Sequence, residues 1–200
     1  MSSNVDIANL ALTMLGDLRI TALTDNSKPA REISAVYDML RDKLQRRYVW
    51  NFTKTRVILA ADVETPADDE YTNQYTIPTD CLRILQVGDY YPSITLSSGN
   101  GGRMQDYSIE RGKILYSDDG ALTLRYCARI SNPGEFDSAF VVAFAAYIAT
   151  TVCEALTPSN TKREIAFAEF KQAISDAVRA NAIENPPEEL ADDTWILARR

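Results

Sequence analysis

Apolar positions in this chain recur with two different periods, and the switch between them divides it. Ile33, Val36, Tyr37, Leu40, Leu44 and Tyr48 fall three or four residues apart, which places them on one face of a helix. Asn26 and Ser27 can cap that helix, and Pro29 suits its first turn. Arg31, Glu32, Asp38, Arg41, Asp42, Lys43, Arg46 and Arg47 fill the other face, with Asp42 and Arg46 spaced for an i,i+4 pair. At residues 49–52 the helical period fails. Thr55, Val57 and Leu59 then alternate with Lys54, Arg56 and Ile58, so 53–59 reads as a strand. Trp50 and Phe52 are expected at the junction as large apolar anchors.

The same two periods lay out the rest. Ser3 and Asp6 make a capping-box pattern ahead of Ile7, Leu10, Ala11 and Met14, and Gly16 supplies a left-handed stop, so a short first helix precedes helix two. Ile20 and Leu23, in the connector 17–25, are expected to tuck against the core. Tyr75, Ile77 and Pro78 open a second β segment, residues 82–87 form a strand rich in branched side chains, and Ile94 with Leu96 suggests a short further one. Between 106 and 130, turn signals at Arg111-Gly112 and Asp118-Asp119-Gly120 separate three alternating runs, which predicts a three-strand meander. The β segments together predict one antiparallel domain of five or six strands, buried on one face.

Asn132, Pro133 and Gly134 break the sheet pattern, and Asp137 or Ser138 caps a third helix. Phe140, Val141, Phe144, Ile148 and Val152 form its heavy face, while Ala139, Ala143, Ala145, Ala146 and Ala149 fill the remainder. Apolar nearly all round, it requires cover on most sides, from a bundle or from a neighbouring subunit. Thr161 and Glu164 offer a capping box for a fourth helix reaching about residue 183, with Phe167, Phe170, Ile174, Ala177 and Val178 on one face. Asn185, Pro186 and Pro187 stop it. The stretch 186–200 is too short and too acidic to fold alone, yet it holds Leu190, Trp195, Ile196 and Leu197, which a disordered tail normally lacks.

The expected fold is therefore α+β. Segments 1–52 and 131–185 supply N- and C-terminal helix pairs packed as a four-helix bundle, 53–130 is an inserted antiparallel β domain, and 186–200 is an extended C-terminal tail.

Composition narrows the chemistry. A chain of 200 residues with 46% hydrophobic, 24% charged and 9% aromatic residues can bury a core without disulfides or metal. Its net charge of −7 opposes a broad nucleic-acid surface and leaves room only for a local basic stripe. Histidine is absent, which removes the usual general base at neutral pH, the histidine-dependent nucleophile arrangements and the commonest zinc ligand. Cys81, Cys127 and Cys153 lie in apolar segments and read as buried thiols of a protein folded in a reducing cytosol. Asp62, Glu64, Asp68, Asp69 and Glu70 cluster around Pro66, but their order is not that of an EF-hand loop, so a solvated loop is expected and no metal site. The glycines of 97–102 lack the strand-before, helix-after setting of a phosphate loop. Residues 1–6 have no signal-peptide pattern, and the longest uncharged run, 138–153, is short of a bilayer span, so no membrane anchor is expected.

No residue is assigned as catalytic, cofactor-binding or metal-binding. Glu110, Glu154 and Glu164 are the carboxyls a glycan hydrolase would have to use, and ordinary surface charge accounts for them. A DNA-binding regulator fits poorly, because helices one and two lack a tight turn and helix two offers only Gln45 for reading bases. Candidate contacts to a neighbouring subunit or partner are Arg41, Arg46 and Arg47, facing acidic loops such as 62–70, together with Trp195, Ile196 and Leu197 of the tail.

Several of these segments, in this order and spacing, carry a family resemblance. The run NLALTMLG at 9–16 with Ile20, Leu23 and Asp25, and the long helix ending in RYVWNF at 47–52, resemble the tail tubular protein A, or head-to-tail adaptor, family of short-tailed bacteriophages. Residues 75–78 with 80–83, the hairpin IERGKILYS at 109–117 and the alanine-rich helix after Phe136 extend the similarity over nearly the whole chain. The resemblance implies a structural virion protein without enzymatic activity or cofactor. Twelve copies would form a ring beneath the portal protein, join it to the next tail or nozzle component and enclose the DNA exit channel. DNA would meet that ring only in passage, without specific binding, and an acidic chain suits a conduit that must not hold it. The implied location is the virion tail, after assembly in the host cytoplasm. Some such tail proteins are credited with peptidoglycan hydrolysis, for which this sequence offers no matching residues.

Overall fold

Helix ends here are set by short polar side chains, as their spacing predicts. Ser3 accepts from the Asp6 amide at 3.1 Å while the Asp6 carboxylate takes the Ser3 amide at 2.9 Å, which opens α1 (Asn4–Leu15). Gly16, at φ 69°, ends it in the left-handed conformation. Ser27 caps α2 (Lys28–Arg47), and Asp137 caps α3 (Ser138–Leu156) by accepting from the Ala139 and Phe140 amides. The cap of α4 (Asn160–Ile183) differs from expectation. Ser159, two residues ahead of Thr161, accepts from the Lys162 amide, and Lys162 then reaches back to the Leu15 carbonyl that α1 leaves open.

The structure is a computed structural model describing residues 2–67, 70–88, 107–117, 120–157 and 159–184. Its class is α+β, with four helices and two small antiparallel three-stranded sheets. The expectations for Ile94 and Leu96, for 97–102 and for the tail 186–200 lie outside the described residues.

α3 packs against each of the other helices. Phe140, Ala143, Phe144, Ala145, Ala146, Ile148 and Ala149 are fully buried or nearly so, the alanines allowing close approach while the aromatic rings fill the space between. Tyr37 meets Phe144 edge-on at 5.1 Å, and Tyr147 stacks on Phe170 at 4.9 Å. The uncharged run read as too short for a membrane belongs to this 19-residue helix, which by length and composition alone could cross one. Ile20 is buried and Leu23 packs at the core's edge, as expected. The face of α4 is the expected one at Phe170, Ile174, Ala177 and Val178 and departs from it at Phe167. Ala166, Phe170, Ile174 and Ala177 are buried, whereas Phe167 is 47% exposed with the Lys171 ammonium over its ring. Small Ala166 takes the inward place because α3 comes close there, with the Thr150 hydroxyl donating to its carbonyl.

Among the described residues the strands are β1 (Lys54–Leu59), β2 (Asn73–Thr76), β3 (Cys81–Val87), β4 (Tyr107–Glu110), β5 (Lys113–Tyr116) and β6 (Leu122–Ala128). They do not form one sheet, and 106–130 is not a meander. β4 and β5 make the expected hairpin with β2 on its other side, but β6 leaves them to pair between β1 and β3. Burial explains the departure. Tyr75, Tyr107, Ile114 and Tyr116 of one sheet and Leu122, Leu124, Tyr126 and Val87 of the other share one core, so each sheet covers the other's apolar face. A single half-buried sheet would leave one of these faces in water.

Candidate functional site

The α2–sheet junction concentrates the polar structure of the molecule. Arg41, read from sequence as part of a solvated basic face, is 7% exposed. Its Nη1 donates to Asp38 at 2.7 Å, and its Nε and Nη2 donate to one oxygen of Asp42 at 2.9 and 2.8 Å. The other Asp42 oxygen accepts from Arg129 at 2.8 Å. Asp42 is thereby committed to Arg41 and Arg129, and the expected pair with Arg46 does not form. Arg46 instead donates to the Leu82 carbonyl in β3, and Arg47 lies over the Tyr48 ring at 5.4 Å. The contiguous basic surface expected of Arg41, Arg46 and Arg47 is thus dispersed. Trp195, Ile196 and Leu197 lie outside the described residues.

Three further residues lock the junction: Trp50 is the anchor expected there, whereas the roles of Gln45 and Asn181 were not read from pattern. Gln45 is fully buried; its Nε2 donates to the Ile130 carbonyl at 2.9 Å and its Oε1 accepts from the Ile130 amide at 3.1 Å. That excludes Gln45 as a base-reading side chain. Trp50, also fully buried, donates to the Leu44 carbonyl at 3.1 Å, and its ring meets Phe140 at 5.0 Å. Asn181 near the end of α4 accepts from the Asn51 amide at 2.8 Å and donates to the Val49 carbonyl at 2.9 Å. Besides the size of Trp50, a signal was present for Arg41 and Gln45. Arg41 and Gln45 stand four and eight residues after Tyr37, on the inward side of α2, where a polar residue must be held by partners.

Elsewhere the charged groups have local work. Partial burial pushes the Asp62 carboxyl up, but hydrogen bonds from Thr76 and Lys113 outweigh it and hold the group below the usual carboxylate range. Asp25 is held low by the Ala22 and Thr21 amides and the Thr21 hydroxyl; with Arg31, which donates to Asn26, it borders a shallow open depression beside Leu23, Ser34 and Ala35. Among the described residues no three His, Cys, Asp or Glu side chains come together as a metal cluster. Glu154 is exposed and pairs with Arg163 at 3.5 Å at the α3–α4 turn, Glu164 is exposed nearby, and Glu110 is exposed at the end of β4. Cys127 and Cys153 are buried and Cys81 is partly so; burial, then the Asp80 carboxylate, pushes the Cys81 thiol up to about 11.

No protein-family model matches this chain, and no curated protein matches it.

Proposed function

We propose that the chain is a structural virion subunit, a ring-forming head-to-tail adaptor that joins a portal to the next tail component and surrounds the channel through which DNA leaves. In this reading the N- and C-terminal helix pairs are one four-helix bundle and the β unit projects from it. The observation that carries the reading is apolar surface left over on the outer helices. Val142 on α3 and Ile165, Phe167 and Ile183 on α4 are 44%, 52%, 47% and 77% exposed, although α3 is already covered by three helices. Repeated large apolar side chains on outward helix faces are what further copies would bury. The rigid junction between α2 and the sheet also suits a part that must hold its shape under load. Mixing the purified chain with a portal and weighing the products by native mass spectrometry tests the proposal. A closed ring on the portal is expected, and persistent failure to form any complex would oppose it. Clearing of a cell-wall suspension that disappears in Glu154→Gln or Glu110→Gln protein would favour a hydrolase instead.

A further inference from the structure

The outer face of the sheet β1-β6-β3 carries one sign of charge. The register sets Lys54 opposite Cys127 and Arg56 opposite Arg125, and Arg83 faces Cys127 from the other side of β6. Since Val57, Leu59, Leu124 and Tyr126 point into the core shared with the second sheet, alternation turns Lys54, Arg56 and Arg125 to the outside, with Arg83 beside them. Burial raises the Cys127 thiol, and a hydrogen bond with Thr53 and the charges of Arg83, Lys54 and Arg125 act against it. β1, β3 and β6 contain no Asp or Glu. Among the described residues neither Arg56 nor Arg83 has a carboxylate partner. Arg56 and Arg83 are exposed, so an anionic surface laid on this face would find both guanidinium groups available.

Exposed carboxylates occur in the same chain, beside the other sheet. Residues 57–82, between Arg56 and Arg83, hold six carboxylates and no Lys or Arg. Asp80, just ahead of β3, accepts from the Tyr126 hydroxyl, whereas Asp62 binds Thr76 and Lys113. Those two residues alternate with Tyr75 and Ile114, and so lie on the face of the second sheet turned away from the core. Glu64, 85% exposed and 3.9 Å from Lys113, follows Asp62, and Glu70 is exposed too. The basic residues lie on the sheet β1-β6-β3, and Asp62 and Glu64 lie beside β2 and β5 of the other sheet, where the Asp62 amide donates to the Gln74 carbonyl at 2.8 Å. Each also carries an exposed apolar residue, Ile58 on the basic face and Val63 beside Glu64.

We infer that Arg56 and Arg83 of one copy receive Glu64 and Glu70 of the next, a head-to-tail contact between β units. Such a contact is heterologous, the kind that closes a ring or runs on as a filament. Guanidinium groups suit it because they bind carboxylates in two-pronged pairs. A nucleic acid fits the face less well: the outward positions of these strands offer no aromatic ring to stack a base, and the net charge of −7 repels phosphate at a distance. The inference rests on the ring-forming reading and assigns one of its surfaces.

Two full-length variants test it, Arg56→Glu with Arg83→Glu, and Glu64→Lys with Glu70→Lys, using sedimentation velocity at low and high salt. Both sets of positions are exposed or lie at loop edges, and equal melting temperatures would establish that the variants fold. Wild type is expected to self-associate in a salt-sensitive way. Each variant alone is expected to associate at least about tenfold more weakly, since both of its surfaces then share a sign. An equimolar mixture is expected to recover association, because each variant then supplies what the other lost. Wild-type association that survives in either variant, or loss that the mixture does not restore, overturns the contact while leaving the ring reading standing. A wild type that remains monomeric at every concentration overturns the contact. Retardation of duplex DNA by wild type, lost with Arg56→Glu and Arg83→Glu and unaccompanied by self-association, overturns it in favour of a phosphate-binding face. Normal self-association with no binding to a portal would leave the contact in place and remove the adaptor reading alone.

Discussion

Gln45 and Ile130 are joined twice, the side-chain amide of one meeting both backbone groups of the other at 2.9 and 3.1 Å. This is how a helix borrows the pairing pattern of a strand: Ile130 follows β6, and Gln45 supplies the donor and acceptor that a neighbouring strand would have offered. Gln45→Leu keeps the volume but leaves two backbone groups without partners. A loss of about 2 kcal/mol is expected, or a fall of about 5 °C in melting temperature, measured by circular dichroism. An unchanged melt would show that water replaces the amide.

Trp50 anchors the same junction from the apolar side, between Tyr48, Phe52 and Phe140. Trp50→Ala is expected to cost about 3–5 kcal/mol in chemical denaturation, since the ring is fully buried. Trp50→Phe keeps the packing and loses the bond to Leu44, so about 1–2 kcal/mol is expected. Equal effects of the two would mean that the indole N–H dominates.

The two carboxylates on Arg41 are not equivalent. Asp42→Ala removes the group that bridges Arg41 and Arg129 and leaves a nearly buried guanidinium with only an exposed partner; about 3 kcal/mol is expected from urea unfolding. Asp38, whose side chain is 81% exposed, is expected to matter by less than about 1 kcal/mol when changed to Ala.

Acid sensitivity has a definite sign. Asp62, Asp6 and Asp25 have carboxyl pKa values lowered by folding. Their contribution is present above the unfolded carboxyl value near ~3.9 and is lost as pH falls through the folded values. Urea midpoints should therefore drop from pH 5 to pH 3, and Asp62→Asn should drop less over that interval. A drop as large as wild type's would remove Asp62 from the account.

Cys81 is only partly covered, yet its thiol is pushed up to about 11. At pH 8 about one molecule in a thousand would carry the thiolate there, so alkylation of the native protein should be slow at Cys81 and should rise sharply on unfolding, as read by peptide mass spectrometry. Rapid native labelling would contradict the burial described for it.

Much of the fold was legible because local chemistry and burial agree there. Ser3 with Asp6, Ser27, Asp137 and Gly16 mark helix ends by hydrogen bonds that span a few residues, and such signals survive in a bare sequence. The pairing of β6 was not legible. Its alternation suits any antiparallel neighbour, and only the need to cover Tyr75 and Ile114 sends it to β1 and β3. The junction site was half legible. Trp50 announced itself by size, whereas Arg41 was counted with the charged face because its partners Asp38 and Asp42 are local but its burial is not. Arg129 gave no signal, since its bond to Asp42 spans 87 positions.

Electron microscopy of the chain assembled on a portal, with the subunits counted from symmetry, tests the central claim most directly. The account predicts a closed ring with the β units in head-to-tail contact, and the resemblance implies twelve copies. Particles that carry no ring, with the chain left as a free monomer beside an unoccupied portal, would contradict it.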